Sequence, residues 1–479
     1  MSSKGFLSSA ETAEAVDGRL IPYLNTSPEE RNIASVSIDS RNAAAGSLFF
    51  ALKGENRDGH DFIPDAIARG AVCIVAEKES EEVKEIGGSC SCSFVIVENS
   101  LKALQKLAGY YRSLFHDITI VGITGSSGKT TTKEMTASIL EKEAPTVMNE
   151  GNLNSETGLP LSVFKINSTH RYGVFEMGIS RPGEMDDLVR ILNPDYAVLT
   201  NIGTAHIGFM GTKDAIAAEK SKIFSSGNLK KGIVWEEDSY AEMIRKKAGS
   251  RVELYGVNST ENLLSVNDKG LEGAVLSFRE GDIRLPLIGK FNCINALAAV
   301  RVAGCFNIDF EKIKEGLQGV KPLFGRGQIT TGSVTIINDC YNSNLESASA
   351  ALQFLENLSW GGRKTAVLGS VLETGEDEEL IHTGIFKKAL SSSLDAVFLF
   401  GKEYSTAWKT FRRENPSQTV TGSGTGPLCF WSDSFEAMVR NLTGFLSQGD
   451  IVLLKGSRGI ALERFIGPIE NIHRKVINC

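Results

Sequence analysis

The sequence predicts an α/β protein of three domains, with a phosphate-loop ATPase domain on a parallel sheet in the middle and a Rossmann-like domain at the C-terminus. Three observations predict it. Short apolar runs alternate with helical patterns along most of the 479 residues, which is the order of a doubly wound parallel sheet. A continuous β-branched run at 117–124, "DITIVGIT", leads directly into a glycine-rich turn and a helical pattern. The length, at about 150 residues per domain, accommodates roughly three domains.

The elements follow in order. In residues 1–115, "SVSID", "SLFFAL", "AVCIVAE" and "SFVIVE" read as strands, and "DFIPDAIARGA" and "SLKALQKLAGYYRSLF" as helices. In residues 116–325, the run at 117–124 suits a buried parallel strand. It is followed by the helix "KTTTKEMTASILEKE" and by strands at "RYGVFEMG" and "DYAVLTNIG", with "GEMDDLVRIL" as a helix between those two. From 250 to 290 the character changes. "RVELYGV", "AVLSFRE" and "DIRLPLIG" read together as a small antiparallel excursion, and "NCINALAAVRVAGCF" as the helix after it. In residues 326–479, "TIIND", "KTAVLGSV", "AVFLFGK", "CFWSD" and "DIVLLKGS" are strands of a third α/β block.

Composition narrows the function classes. A net charge of −7 argues against broad binding to nucleic acid or anionic membrane, while leaving room for a local basic site. No run of 18 apolar residues predicts a membrane span, and "MSSKGFLSSAETAEAVDG" lacks the apolar core of a signal peptide. Cys73, Cys90, Cys92, Cys293, Cys305, Cys340, Cys429 and Cys479 form no C-x-x-C pair, so no zinc site is expected. Reduced thiols and a cytoplasmic location are expected.

The turn "ITGSSGKTTTKE" carries the chemistry. The common phosphate loop is G-x-x-x-x-G-K-[ST]. Here the position of the first glycine is Ile123, and the glycines fall at Gly122, Gly125 and Gly128. The context is still that of a phosphate site. Gly125 and Gly128 let the backbone approach an anion, and the amides of Ser126, Ser127 and Thr131 open onto the helix start. Lys129 would reach the outer phosphates and Thr130 a Mg²⁺ ion. Ligands of open α/β sheets bind beyond the carboxyl ends of the strands. Glu176 and His206 fall there too, which suggests a second metal. The bland alternatives are a ligand-free βα turn and a structural histidine.

At this point the residues resemble a family. "TGSSGKTTTK", "MNEGNLNSETGLPLSV", "FEMGISRPGEM", "LTNIGTAHIGFMGT" and "AAEKSKIF" resemble the central domain of the Mur ligases, which build the peptide stem of peptidoglycan and use the short glycine spacing. The resemblance runs from "DSRNAAAGSLFFALKGENRDGHDF" to "LLKGSRGIALE", and "NDCYNSNLESASAAL" is similar to the branch that adds D-alanyl-D-alanine to UDP-N-acetylmuramoyl-tripeptide. It implies three domains: 1–115 for the UDP substrate, 116–325 for ATP and 326–479 for the amine. It further implies an acyl phosphate, ATP with two Mg²⁺, a monomer and no macromolecular partner.

Position by position, the resemblance implies that Gly125–Thr131 and Lys129 hold ATP. Glu176, His206 and a carbamylated Lys220, with Thr130, would be metal ligands. Asn292 and Asn295 would contact adenine, and Arg326 and Asp339 the ribose or phosphates. Ser40, Arg41, Lys53, Asp58 and His60 would form the UDP pocket. Asn152, Asn154 and Thr157 would face the muramoyl peptide, and Tyr341, Asn342 and Asn344 the dipeptide. Lys455, Ser457 and Arg458 would face the same cleft. The chain departs from the family pattern at Phe291 (usually His), Ser155 (Asn), Leu345 (Pro) and in "LGSVLETG" (368–375). The acidic run 372–380 reads as a solvated helix start. Two rival readings are another ligase of the same fold, such as a folylpolyglutamate synthetase or a different Mur ligase, and an ATP-hydrolysing switch without ligation.

Overall fold

The computed structural model describes residues 7–22, 33–77, 92–414 and 426–472. Cys90, Cys479 and the first six residues, on which part of the cysteine and signal-peptide readings rests, lie outside the described residues. Four sheets organise the chain. The first holds β1 (Arg19–Ile21), β2 (Ser35–Ser37), β3 (Ser47–Phe50), β4 (Ala71–Ala76) and β5 (Ser93–Ile96) in the order β1-β5-β4-β3-β2. All its pairings are parallel except β1 with β5. β3 and β4 are near-continuous apolar runs because both of their faces are covered, and Phe50, Ile74 and Val75 are fully buried.

The central sheet holds β6 (Thr119–Thr124), β7 (Thr146–Met148), β8 (Tyr172–Glu176), β9 (Tyr196–Leu199), β10 (Lys231–Trp235) and β11 (Val252–Tyr255), all parallel, in the order β11-β10-β9-β6-β8-β7. The β8-to-β9 connection crosses β6. The carboxyl ends of β8, β6 and β9 are therefore neighbours at the position where doubly wound sheets bind ligands. Beside this sheet lies an antiparallel one of β12 (Leu263–Asp268), β13 (Ala274–Phe278) and β14 (Gly281–Leu285). This corrects the sequence reading. The run 251–257 does not join the antiparallel group; β11 pairs in parallel with β10 and closes the central sheet. The antiparallel sheet starts instead with β12. Its burial is irregular and partly exposed, so it carries no clear period-2 signal.

The last sheet holds β15 (Gln328–Thr330), β16 (Thr335–Asp339), β17 (Lys364–Gly369), β18 (Ala396–Phe400), β19 (Leu428–Ser432) and β20 (Ile451–Lys455) in the order β15-β16-β20-β17-β18-β19. Only the edge strand β15 is antiparallel. Asp339 and Lys455 end adjacent strands at the same register, and the loop after β17 leaves from the same edge. The carboxyl edges of the central and last sheets border one cleft.

Helix Ser100–Ser113 belongs by sequence to the first unit and packs against the central one. Asn99 caps it by accepting from the Lys102 amide, and Leu104, Leu107 and Ala108 are fully buried. The Tyr111 hydroxyl donates to the Ile166 carbonyl (2.8 Å), and Arg112 donates to the Leu192 carbonyl (3.2 Å). Among the described residues no helix is long and apolar enough to cross a membrane.

Candidate active site

The cleft has a volume of about 820 Å³ and is lined by both units. On the central side, the turn after β6 delivers helix Lys129–Leu140. Gly128 sits at its N-cap at φ +81. A Cβ there would lie 2.4 Å from Asn295 Oδ1, and one on Gly125 would lie 1.9 Å from Thr200 Oγ1. Both glycines are thus required by close approach, and neither needs a glycine at position 123. The turn is held open from outside. The Ser127 amide donates to Asn201 Oδ1 (3.0 Å), and Ser126 Oγ accepts from the Gly203 amide (2.8 Å). Lys129 Nζ donates to the Gly125 carbonyl (2.9 Å) within its own loop. Burial, with Arg326 adding repulsion, pushes its pKa down, so the site stands to gain from an anion. Free helix-start amides, close backbone approach and an ammonium without a carboxylate bonded to it fit a polyphosphate.

Glu176, at the end of β8, is buried. Its two oxygens accept from Thr130 Oγ1 (2.6 Å) and Asn154 Nδ2 (2.7 Å). Asn149 clamps the Glu176 backbone, accepting from its amide and donating to its carbonyl, each at 2.9 Å. Asn149 in turn is held through its own carbonyl by the buried ammonium of Lys133 (2.5 Å). Lys220, at the C-terminal end of helix Lys213–Lys220, is 1% exposed, and its Nζ has no hydrogen-bond partner. Burial first, then the Lys129 charge, pushes its pKa well down, against the pull of Glu176. Lys220 is therefore not a solvated surface lysine but a buried amine held toward neutrality.

His206 stands in the left-handed region at φ +63 and lines the same cleft. Its Nδ1–H donates to Glu373 Oε2 (2.6 Å), from the loop after β17. That revises the reading of 372–380 as a solvated helix start. Glu378 does open helix Glu378–Leu390, but Glu373 crosses the cleft. Among the described residues no three His, Cys, Asp or Glu side chains converge at metal range. Glu176, Thr130 and His206 line the cleft and the buried Lys220 amine feels the Glu176 charge, without the four forming a ready metal cage.

The other predicted residues divide. Asn292 and Asn295 are buried on helix Lys290–Cys305 and bond to each other (3.2 Å), with Phe291 beside them on the cleft wall. Asn152, Asn154 and Thr157 line the cleft, as do Tyr341, Asn342 and Asn344. The Arg326 guanidinium stacks 4.1 Å from the Tyr341 ring. Asp339 and Lys455 pair at 3.1 Å; burial pushes the Asp339 carboxyl up, and Lys455 opposes the shift. Ser457 and Arg458 do not face the cleft. Ser457 Oγ accepts from the Leu372 amide (3.0 Å), and Arg458 pairs with Glu463 (2.5 Å), because the chain turns away directly after β20. Ser40, Arg41, Lys53, Asp58 and His60 cluster apart, in the first unit. Arg41 pairs with Asp39 (2.6 Å) and Asp58 with His60 (2.6 Å), while Lys53 and Asp58 form an isolated antiparallel backbone bridge.

Sequence reading missed Asn149, Asn201, Glu346 and Glu373. Asn149 and Asn201 lie inside tracts already singled out, Asn149 three residues before Asn152 and Asn201 in the turn after β9. The two glutamates act across sequence separations of 142 and 167 residues, for which no local signal exists.

A phosphate loop facing a second Rossmann-like unit, with a buried amine and carboxylate between them, defines the class of ATP-dependent carboxylate–amine ligases. Comparison with known proteins narrows it. Residues 32–112 match the model of the Mur ligase family catalytic domain, 123–303 that of the Mur ligase middle domain, and 325–458 that of the Mur ligase glutamate ligase domain. A UDP-N-acetylmuramoyl-tripeptide–D-alanyl-D-alanine ligase from Treponema pallidum is 36% identical over 91% of this chain and 93% of its own. The crystal structure of MurF from Acinetobacter baumannii superposes with a TM-score of 0.86 at 28% identity, over 98% of this chain and 100% of that one. A MurF ligase from Thermotoga maritima in complex with ADP gives 0.76 at 27% identity, over 92% and 98%. The chain belongs to the Mur ligase family.

Proposed function

We propose that this protein is an ATP-dependent peptide ligase that joins D-alanyl-D-alanine to UDP-N-acetylmuramoyl-tripeptide in peptidoglycan precursor synthesis. One observation carries the reading. The phosphate loop and Glu176 share a cleft with Tyr341, Asn342 and Asn344, and the unpartnered amine of Lys220 is buried within electrostatic reach of Lys129 and Glu176, so a nucleotide, an activated carboxylate and an amine can meet there.

The chemistry follows from the leaving group. A carboxylate resists attack by an amine because oxide is a poor leaving group. A tripeptide carboxylate oxygen attacks the γ-phosphorus of ATP, the bond to ADP breaks, and an acyl phosphate results. The neutral amine of the dipeptide then attacks the carbonyl carbon and passes a proton to solvent. The tetrahedral adduct collapses as its C–O bond to phosphate breaks. In the first step the protein positions groups and neutralises charge. Lys129 exchanges its loop carbonyls for phosphate oxygens, and the first-turn amides of helix Lys129–Leu140, Thr131 among them, flank them. Asn292, Asn295 and Phe291 form the base side of the nucleotide site, with Arg326 and Asp339 beyond. Lys455 fixes the turn bearing Tyr341 and Asn342 by donating to the Asn342 carbonyl (2.5 Å). The first unit, about 1–115, grips the UDP end through Ser40, Arg41, Lys53, Asp58 and His60. Residues 116–325 hold ATP, and 326–479 bring the amine.

Bound Mg²⁺ would neutralise phosphate charge. The donors fit: Thr130 and Glu176 are adjacent hard oxygens, and His206 keeps Nε2 free while Nδ1–H is tied to a carboxylate, the arrangement usual for metal-bound imidazoles. A second ion needs a further anionic donor, and Lys220 supplies one on carbamylation. Its amine nitrogen bonds to the carbon of CO₂ and releases a proton, which requires the neutral amine that burial favours.

The test measures ADP release with tripeptide and dipeptide added separately and together, using lysine- and diaminopimelate-containing tripeptides. Release should require both substrates, and Lys129→Ala should abolish it. Equal release from ATP alone would identify a hydrolytic switch instead. Lys220→Ala should lose about 10²-fold or more in kcat and regain part with short carboxylates. A bare Lys220 side chain in well-resolved density of an active crystal removes the carbamate.

A further inference from the structure

The C-terminal unit grips one short segment of the central unit, Gly203 to Gly208, at both ends. At its start, Glu346 Oε2 accepts from the Thr204 amide (3.0 Å) and from Thr204 Oγ1 (2.8 Å), and its Oε1 meets Lys213 Nζ (3.3 Å). At its end, Glu373 takes the His206 Nδ1–H, and its carbonyl accepts from the Gly208 amide (3.1 Å). The fit is close at both places. A Cβ on Gly203 would lie 2.9 Å from Glu346 Cδ, and one on Gly208 would lie 2.5 Å from the Gly375 nitrogen.

The same segment is bonded to the phosphate loop. Ser126 Oγ and the Gly203 backbone exchange bonds of 2.8 and 3.2 Å, and the Ser126 amide donates to the Asn201 carbonyl (2.8 Å). Asn344, two residues before Glu346, donates from Nδ2 to Ser127 Oγ (3.0 Å). The helix that begins at Leu345 therefore carries on one turn both a contact to the phosphate loop and the carboxylate that holds the segment behind it.

We infer that Glu346 is a positioning residue, with Glu373 as its counterpart. By seating on the 203–208 segment the two carboxylates register the C-terminal unit against the phosphate loop, so that the amine is aligned only when the loop is in its working shape. The inference rests on the ligase reading for the identity of the amine, but the seating itself does not. Glu346 touches no substrate in this scheme. It sets where Tyr341, Asn342 and Asn344 stand relative to Ser127.

The experiment uses full-length Glu346→Ala, Glu346→Gln, Glu373→Ala and Gly203→Ala, the last crowding the carboxylate seat while leaving the carboxylate itself. Three quantities are read: the dissociation constant of ADP by calorimetry, kcat and KM for D-alanyl-D-alanine, and the radius of gyration by solution X-ray scattering. Glu346→Ala and Gly203→Ala should reduce kcat/KM for the dipeptide by about 2- to 30-fold, the range of coupling residues off the ligand site. They should enlarge the radius of gyration and leave ADP binding within about twofold, a change too small to signal loss of the site. Glu346→Gln, which keeps an acceptor for Thr204, should recover most of the loss. Unchanged scattering and dipeptide KM in Glu346→Ala overturn the inference, and so does a loss that tracks ADP affinity and melting temperature. If no variant, and not the parent, turns over the UDP substrate, the ligase reading fails while scattering still decides the seating.

Discussion

The central unit has two junctions, and they are built differently. Toward the N-terminal unit it is joined through helix Ser100–Ser113. There Leu104 and Leu107 are fully buried, Tyr111 bonds a distant carbonyl, and Arg112 is buried against the Leu192 carbonyl and Asp195 (3.6 Å). Toward the C-terminal unit the polar contacts are side chains on a cleft rim, among them Glu346 with Lys213, each 38% exposed, and His206 with Glu373. Burying a leucine contributes about 1.5–3 kcal/mol, whereas a partly exposed ion pair contributes about 0–1 kcal/mol. The first junction is therefore a fixed joint and the second a reversible one. That suits a ligase: the UDP end stays anchored to the nucleotide domain while the amine-bearing unit docks and leaves.

Three substitutions test the contrast. Leu107→Ala removes apolar packing from the fixed joint and should cost about 2–5 kcal/mol of unfolding free energy in urea; a loss below 1 kcal/mol, on the same scale, would mean the helix is not a structural joint. Tyr111→Phe keeps the ring and deletes the hydroxyl that bonds Ile166, so about 0.5–1.5 kcal/mol should go, with the dipeptide KM unmoved; a kinetic change with no stability change would reverse the assignment. The smallest effect is expected at the reversible junction. Lys213→Ala should alter unfolding free energy by no more than about 1 kcal/mol while raising the dipeptide KM at low salt, and added salt should narrow that difference by screening the wild-type pair. A stability loss as large as that of Leu107→Ala would show that both junctions are of one kind.

Legibility in the sequence follows distance along the chain. The phosphate turn was readable because its strand, glycines and helix lie within about one element of each other, and that order alone implies where an anion sits. β2 to β5 of the first sheet and β16 to β20 of the last were readable as short apolar runs, whereas the three-residue edge strands β1 and β15 were too short to leave such a signal. β11 was misassigned because a short strand does not state its partner, and only the neighbouring β10 decides that it is parallel. The resemblance implied that Ser457 and Arg458 face the cleft, but the turn after Lys455 sends them elsewhere.

The sequence by itself determined the fold class, the phosphate loop and, through its tracts, the identity of Glu176, His206 and Lys220 as residues to watch. Those signals are local: backbone preference, period and the spacing of glycines act over a few residues. Only the tertiary structure decided that the Lys220 amine is left without a partner, that Asn149 and Lys133 hold Glu176 in place, and that Glu346 and Glu373 reach across to the 203–208 segment. These depend on which strand ends become neighbours after two sheets have formed and met. Burial and hydrogen bonding between residues more than a hundred positions apart leave no periodic trace in either stretch of chain.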